Sequence, residues 1–175
     1  MSAYLDHNAT SPAPEAVIDA VASAMRVVGN ASAQHAHGRA AAKLVSDARE
    51  AVGMAMGQCA QDVTFTGSGT EAINTAIHSA VAAGCKRLLV SSLDHPASIM
   101  AAEASGATVT MLPATPSGQT DMDALEAILS DWDAAEGRPF LSLVAANSET
   151  GVIQDTDRAI DFVHDAGGLV LIDAV

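Results

Sequence analysis

Short apolar runs rich in Val, Leu and Ile recur from residue 63 onward, at 63–66, 87–90, 108–112, 140–145 and 169–172. Between them lie stretches whose apolar residues fall at helical spacing, over 70–83, 96–104, 121–131 and 156–166. Strands alternating with helices through short links leave few folds open, and the simplest is a largely parallel sheet covered on both faces. The strand runs are continuously apolar rather than alternating, which is the pattern of strands buried on both sides. The expected fold class is therefore α/β, three layers, with a mostly parallel sheet. Residues 1–60 read as an N-terminal arm with helices, and 61–175 as the sheet-bearing part. The clearest loops, 113–118 and 131–139, are too short to separate domains.

At 175 residues the chain can bury a core of one domain. Apolar residues make up 49% and charged residues 17%, which implies a large buried fraction or a surface meant to be covered by more protein. Aromatics are only 3%, so the core is built from Ala, Val, Leu, Ile and Met. The net charge of −13 argues against nucleic acid and anionic membrane as partners. Cys59 and Cys85 form no CxxC pair and no disulfide framework. No apolar run approaches the roughly 20 residues that span a bilayer, and no signal segment opens the chain, so a cytoplasmic protein is expected.

Before residue 60 the pattern is helical. Pro14 suits the first turn of a helix reaching Val28, with Gly29-Asn30 as its stop. A polar stretch rich in turn residues, 30–39, precedes a long amphipathic helix from Arg39 to Met56. His35 and His37 stand at i, i+2, which does not share a helix face. No Cys or carboxylate is close in sequence, so no metal site is assigned.

The most informative turn is Gly67-Ser68-Gly69, between the run at 63–66 and a helix opened by Thr70-Glu71. A helix start presents unpaired N–H groups with the positive end of the dipole behind them. Glycines admit a ligand close to the backbone, and Ser68 and Thr70 add hydroxyls, which together make an anion seat, most simply for a phosphate. An ordinary βα turn explains the same residues equally well. A Walker A loop is excluded for want of a lysine. A dinucleotide site would need an acidic end to the next strand, where Ser91-Ser92 stands.

Ligands of such sheets bind beyond the carboxyl ends of the strands. Those ends carry Ser68–Thr70, then Asp94-His95-Pro96, then Asn147-Ser148-Glu149-Thr150-Gly151, and finally Asp173. Each has a plain alternative: His95 as a helix cap, Asn147 as a turn residue, Asp173 as a cap beyond a strand. Together they suit pyridoxal 5′-phosphate. Its phosphate needs a helix N-terminus, its ring a flat side chain such as His95, its hydroxyl a donor, and its ring nitrogen a carboxylate such as Asp173.

The same stretches resemble the cysteine desulfurases of the class V aminotransferase family, enzymes of fold type I. Tyr4-Leu5-Asp6-His7-Asn8-Ala9-Thr10 is similar to the family's opening, and Gly29-Asn30-Ala31-Ser32 with His35, Gly38 and Arg39 to its next motif. Phe65-Thr66-Gly67-Ser68-Gly69-Thr70-Glu71 resembles the phosphate motif, and Asp94-His95-Pro96-Ala97 the ring-stacking motif. Asn147-Ser148-Glu149-Thr150-Gly151 and Ile172-Asp173-Ala174 resemble the last two. The likeness covers essentially the whole chain, in order. It implies that Ser68, Gly69 and Thr70 hold the phosphate, that His95 stacks on the ring, that Asn147 and Ser148 lie by the ring hydroxyl, and that Asp173 pairs with the ring nitrogen. Ser148 stands where the family usually has Asn, and Ser68 where it tends to have Gly.

The implied activity is removal of sulfur from L-cysteine, giving alanine and an enzyme persulfide for a sulfur-acceptor protein and iron–sulfur cluster assembly, in a cytoplasmic homodimer. No residue here matches the family's Schiff-base lysine or its persulfide-forming cysteine. The lysines are Lys43 and Lys86, outside any cofactor motif. The chain is therefore expected to be inactive alone, as the N-terminal portion of a longer enzyme. A selenocysteine lyase or another class V transaminase would share these motifs, and a non-catalytic cofactor-binding or dimerising module stays open.

Overall fold

Four parallel strands form the centre of the second of two compact units in this computed structural model, which describes residues 3–7 and 9–175. Asn8 of the opening motif lies outside the described residues. The first unit ends at Phe65, and the second is Thr66–Val175.

The first unit holds α1 (Glu15–Met25) and α2 (Ala36–Ala55). Pro14 stands just ahead of α1 as its N-cap rather than inside the first turn, and the helix stops at Met25, short of Gly29. Gly29 has a different task. A Cβ there would lie 2.2 Å from the carbonyl oxygen of His37, and one on Gly38 would lie 2.0 Å from that of Ala33. The 29–38 segment folds back on itself at a backbone separation that only glycine permits. His35 caps α2, its Nδ1 accepting the Gly38 N–H at 3.2 Å. Its ring meets that of His37 edge-on at 6.1 Å.

In the second unit, α3 (Gly69–Ala82) leads to β1 (Arg87–Ser91), α4 (Pro96–Ala104), β2 (Thr108–Leu112), α5 (Met122–Ser130), β3 (Phe140–Val144), α6 (Thr156–Asp165) and β4 (Leu169–Asp173). The strand order is β2-β1-β3-β4, all parallel. Period-two alternation divides the strands between two cores. Leu88, Val90 and Phe140 pack with Ile73, Ile77 and Ala80 of α3 and with Ala101 and Ala102 of α4. Leu89, Leu141 and Leu143 pack with Leu125 of α5 and with Ala159 and Val163 of α6. The expected three layers are present, and each fully buried Leu or Val contributes about 1.5–3 kcal/mol.

One expected strand is absent. Residues 63–66 pair with nothing among the described residues, although Val63 is extended. Apolar β-branched side chains make a segment suited to a sheet, but only a partner's hydrogen bonds make it a strand.

Candidate functional site

The expected anion seat is an open turn at the start of α3. Ser68 is the N-cap, its hydroxyl oxygen accepting the Glu71 N–H at 3.2 Å. The Glu71 carboxylate reaches back to the Gly67 N–H at 2.7 Å. This is a capping box displaced by one residue. The Thr66 hydroxyl donates to the Ser68 carbonyl at 2.9 Å, closing the turn from the other side. Gly67 is thereby committed to Glu71. The N–H groups of Gly69 and Thr70 are among those a helix start leaves without internal partners, with the dipole behind them. Both residues are exposed. A Cβ on Gly69 would touch Val175 Cγ2 at 3.5 Å, so this turn sits beside the chain just beyond β4.

His95 lies at the other expected place, the turn after β1. It caps α4, with Nδ1 accepting the Ala97 N–H at 3.1 Å and Pro96 in the first helical position. The cap fixes the tautomer: Nδ1 is the acceptor and Nε2 carries the hydrogen. The exposed imidazole is thus held by its own backbone and presents a flat face.

Asn147 follows β3 and does two jobs. Its Oδ1 accepts the N–H groups of Glu149 and Thr150 and the Thr150 hydroxyl, at 2.9–3.1 Å. Its Nδ2 donates to the Leu93 carbonyl at 2.9 Å, joining the loop after β3 to the turn after β1. One Nδ2 hydrogen is left for a ligand. Ser148 is exposed next to it. Asp173 ends β4 half-buried, with Oδ1 accepting the Val175 N–H at 3.3 Å. The plain alternatives of cap, turn residue and strand-end cap all describe real contacts of these side chains, and they serve to orient them.

The chain's connections reverse direction between β1 and β3, since β1 leads outward to β2 and β3 leads the other way to β4. Such a switch point opens a crevice at the carboxyl edge. Two side chains that were not among the expected cofactor contacts, Asp94 and Gln154, hold it. Asp94 is 6% exposed; its Oδ2 accepts the Ser142 hydroxyl and its Oδ1 the Val144 N–H, both at 2.7 Å. Burial pushes its carboxyl up to about 6, against the pull of these two donors and with a small push from Asp173. Gln154 is buried, its Oε1 accepting the Thr120 N–H at 2.7 Å and its Nε2 donating to the Gly118 carbonyl at 3.1 Å. The signal for Asp94 was a polar residue, Ser142, inside an otherwise apolar strand, since a buried hydroxyl needs a partner.

A hollow lies elsewhere, between the starts of α5 and α6, lined by Thr115, Asp121, Asp155 and Arg158. Its cation is already paired with Asp123 at 3.0 Å. The α3 turn is the better place for an anion because, among the described residues, the Gly69 and Thr70 N–H groups have no hydrogen-bond partner.

The sequence pattern of the aminotransferase class-V family matches residues 3–175. A cysteine desulfurase of Cereibacter sphaeroides is 36% identical over 180 residues, covering 98% of this chain and 45% of that protein. An IscS-like cysteine desulfurase of Mycobacterium tuberculosis is 36% identical over 162 residues, covering 86% of this chain and 40% of its own length. The X-ray structure of a NifS-like protein from Rickettsia africae superposes with a TM-score of 0.84 at 25% identity, over 97% of this chain and 46% of that one. The chain thus spans less than half the length of the curated relatives it matches. The match takes in every strand of the sheet and every turn along its carboxyl edge, and the chain belongs to the aminotransferase class-V family.

Proposed function

We propose that these residues form the cofactor seat of a pyridoxal 5′-phosphate-dependent cysteine desulfurase. The observation that carries this reading is the convergence, on one sheet edge, of an uncommitted helix start, an oriented imidazole and a half-buried carboxylate. The names of the relatives support the choice of reaction.

The donor set fits the cofactor. The N–H groups of Gly69 and Thr70, with the hydroxyls of Ser68 and Thr70, would hold the phosphate. His95 would lie against the ring. Asp173 would keep the ring nitrogen protonated, its charge favoured by that cation. The spare Nδ2 hydrogen of Asn147, or the shorter arm of Ser148, would serve the ring oxygen. When bound, the protonated ring withdraws electrons from the substrate carbon, which is the chemistry the family uses. Lys86 donates to the Ala135 carbonyl at 3.0 Å before β1, away from the carboxyl edge. Lys43 is paired with Asp47 at 2.8 Å on α2. The proposal therefore places the covalent anchor, the sulfur-accepting thiol, the acceptor-protein contact and the dimer of the active enzyme in the longer protein. A non-catalytic cofactor-binding module is the second reading, favoured by the engagement of both lysines.

Titrating the chain with pyridoxal phosphate, then reducing with borohydride and weighing the protein, tests the seat. Saturable binding displaced by inorganic phosphate, with an unmodified mass of 17.7 kDa after reduction, is expected. Thermal protection by NAD and none by pyridoxal phosphate would refute the proposal.

A further inference from the structure

We propose that Asp94 is a positioning residue of this seat: its buried carboxylate pins the turn that bears His95 to the end of β3 and places a fixed negative charge beside Asp173. The inference rests on the cofactor reading above.

The register shows why the position is special. β1 pairs with β3 from Leu88↔Phe140 to Val90↔Ser142, after which the chain turns away toward α4. The Val144 N–H on that side would be left unpaired inside the protein. Asp94 Oδ1 takes it at 2.7 Å, so a side chain supplies the rung that the departing backbone no longer can. On its other side, Val144 is the register partner of Asp173, and the Ala145 N–H donates to the Asp173 carbonyl at 2.8 Å. Val144 therefore meets the Asp94 side chain on one side and the Asp173 backbone on the other. Asp173 shares the strand face of Leu169 and Leu171, which is the α3/α4 face on which Phe140 lies, and Ser142 alternates onto that same face.

The charge needs a reason that the fold does not provide. An amide at 94 would satisfy the Val144 N–H equally well through its oxygen, and the Ser142 hydroxyl would accept from its nitrogen. A carboxylate buried near a second carboxylate, and facing no cation among the described residues, is the costly choice. Its surroundings are the Ser142 hydroxyl and Val144 amide from β3, Asp173 from β4, and His95 next on the turn. What a charge there does is raise the proton affinity of anything Asp173 binds. A ring nitrogen paired with Asp173 would keep its proton to higher pH because Asp94 stands behind it. A buried charge that costs stability and stands in a ligand crevice is a candidate functional group.

Asp94→Asn separates this from a structural role. The probe is pyridoxamine 5′-phosphate, which carries the phosphate and ring but needs no lysine. Three readouts are taken on the whole chain: unfolding by urea at pH 7, the dissociation constant of the probe, and the ring-nitrogen pKa of the bound probe from its absorption. The proposal expects Asp94→Asn to be at least as stable as the wild type, to bind roughly tenfold more weakly, and to release the ring proton about one unit lower. Asp94→Glu, which keeps the charge, is expected to restore most of the ring pKa. Loss of cooperative unfolding in Asp94→Asn, or probe affinity and ring pKa equal to wild type, would overturn the assignment of Asp94. Failure of the wild-type chain to bind the probe would instead overturn the cofactor reading, and the proposal with it.

Discussion

The two units are built by opposite means. In the second, every strand packs side chains against both cores, and all the buried apolar side chains of the described residues lie there. In the first, α1 buries nothing and α2 buries only Gly38 and Gly53. Val21 is 54% and Met25 81% exposed on α1. The shape of the first unit comes from backbone touching backbone at Gly29 and Gly38, and that of the second from side chains filling space. A substitution that removes volume should therefore damage one, and a substitution that adds volume the other.

Leu141→Ala tests the larger side of that contrast. Leu141 is fully buried between the sheet and α5/α6, so truncation should cost about 2–5 kcal/mol in urea unfolding, while Val21→Ala on α1 stays within about 0.5 kcal/mol. Equal costs would erase the distinction. Asp94 gives the next effect. Its carboxyl titrates near 6 folded against 3.8 unfolded, so the neutral form favours the native state. That contribution is complete below about pH 3.8 and is lost as pH rises through 6. Two units correspond to at most about 3 kcal/mol. The stability of Asp94→Asn relative to wild type should accordingly grow between pH 4 and pH 6 and level off above; a flat difference would contradict it. Gly38→Ala drives a Cβ into the Ala33 carbonyl and should cost about 1–3 kcal/mol, read from the amide exchange of the 29–38 segment. Ser68→Ala removes the α3 cap and should cost about 1 kcal/mol, with a matching loss of phosphate affinity.

The sequence was most legible where periodicity was long. The helix predicted over 96–104 coincides with α4, because Pro96 after His95 leaves no other start. It was least legible where hydrogen-bond partners are distant. Nothing local distinguishes residues 63–66 from β1, since a strand exists only with its neighbour. Gly29 read as a helix stop because the pattern cannot show His37 folding back onto it. The edge residues Ser68, His95, Asn147 and Asp173 could be found from their positions after strands. Asp94 by itself looks like an ordinary turn acid; the one hint, Ser142 inside an apolar strand, asks for a buried partner but does not name one 48 residues away.

The order β2-β1-β3-β4 also fixes a history. β1 is made before the other three strands, yet it ends up inside the sheet. As the polypeptide leaves the ribosome, β1, α4 and β2 can close as a unit while the far edge of β1 still waits for β3. Until β3 arrives, the backbone of Leu88 to Val90 is an unfilled template open to any extended segment nearby. The interval between the synthesis of β2 and that of β3 therefore sets how long this template stands open.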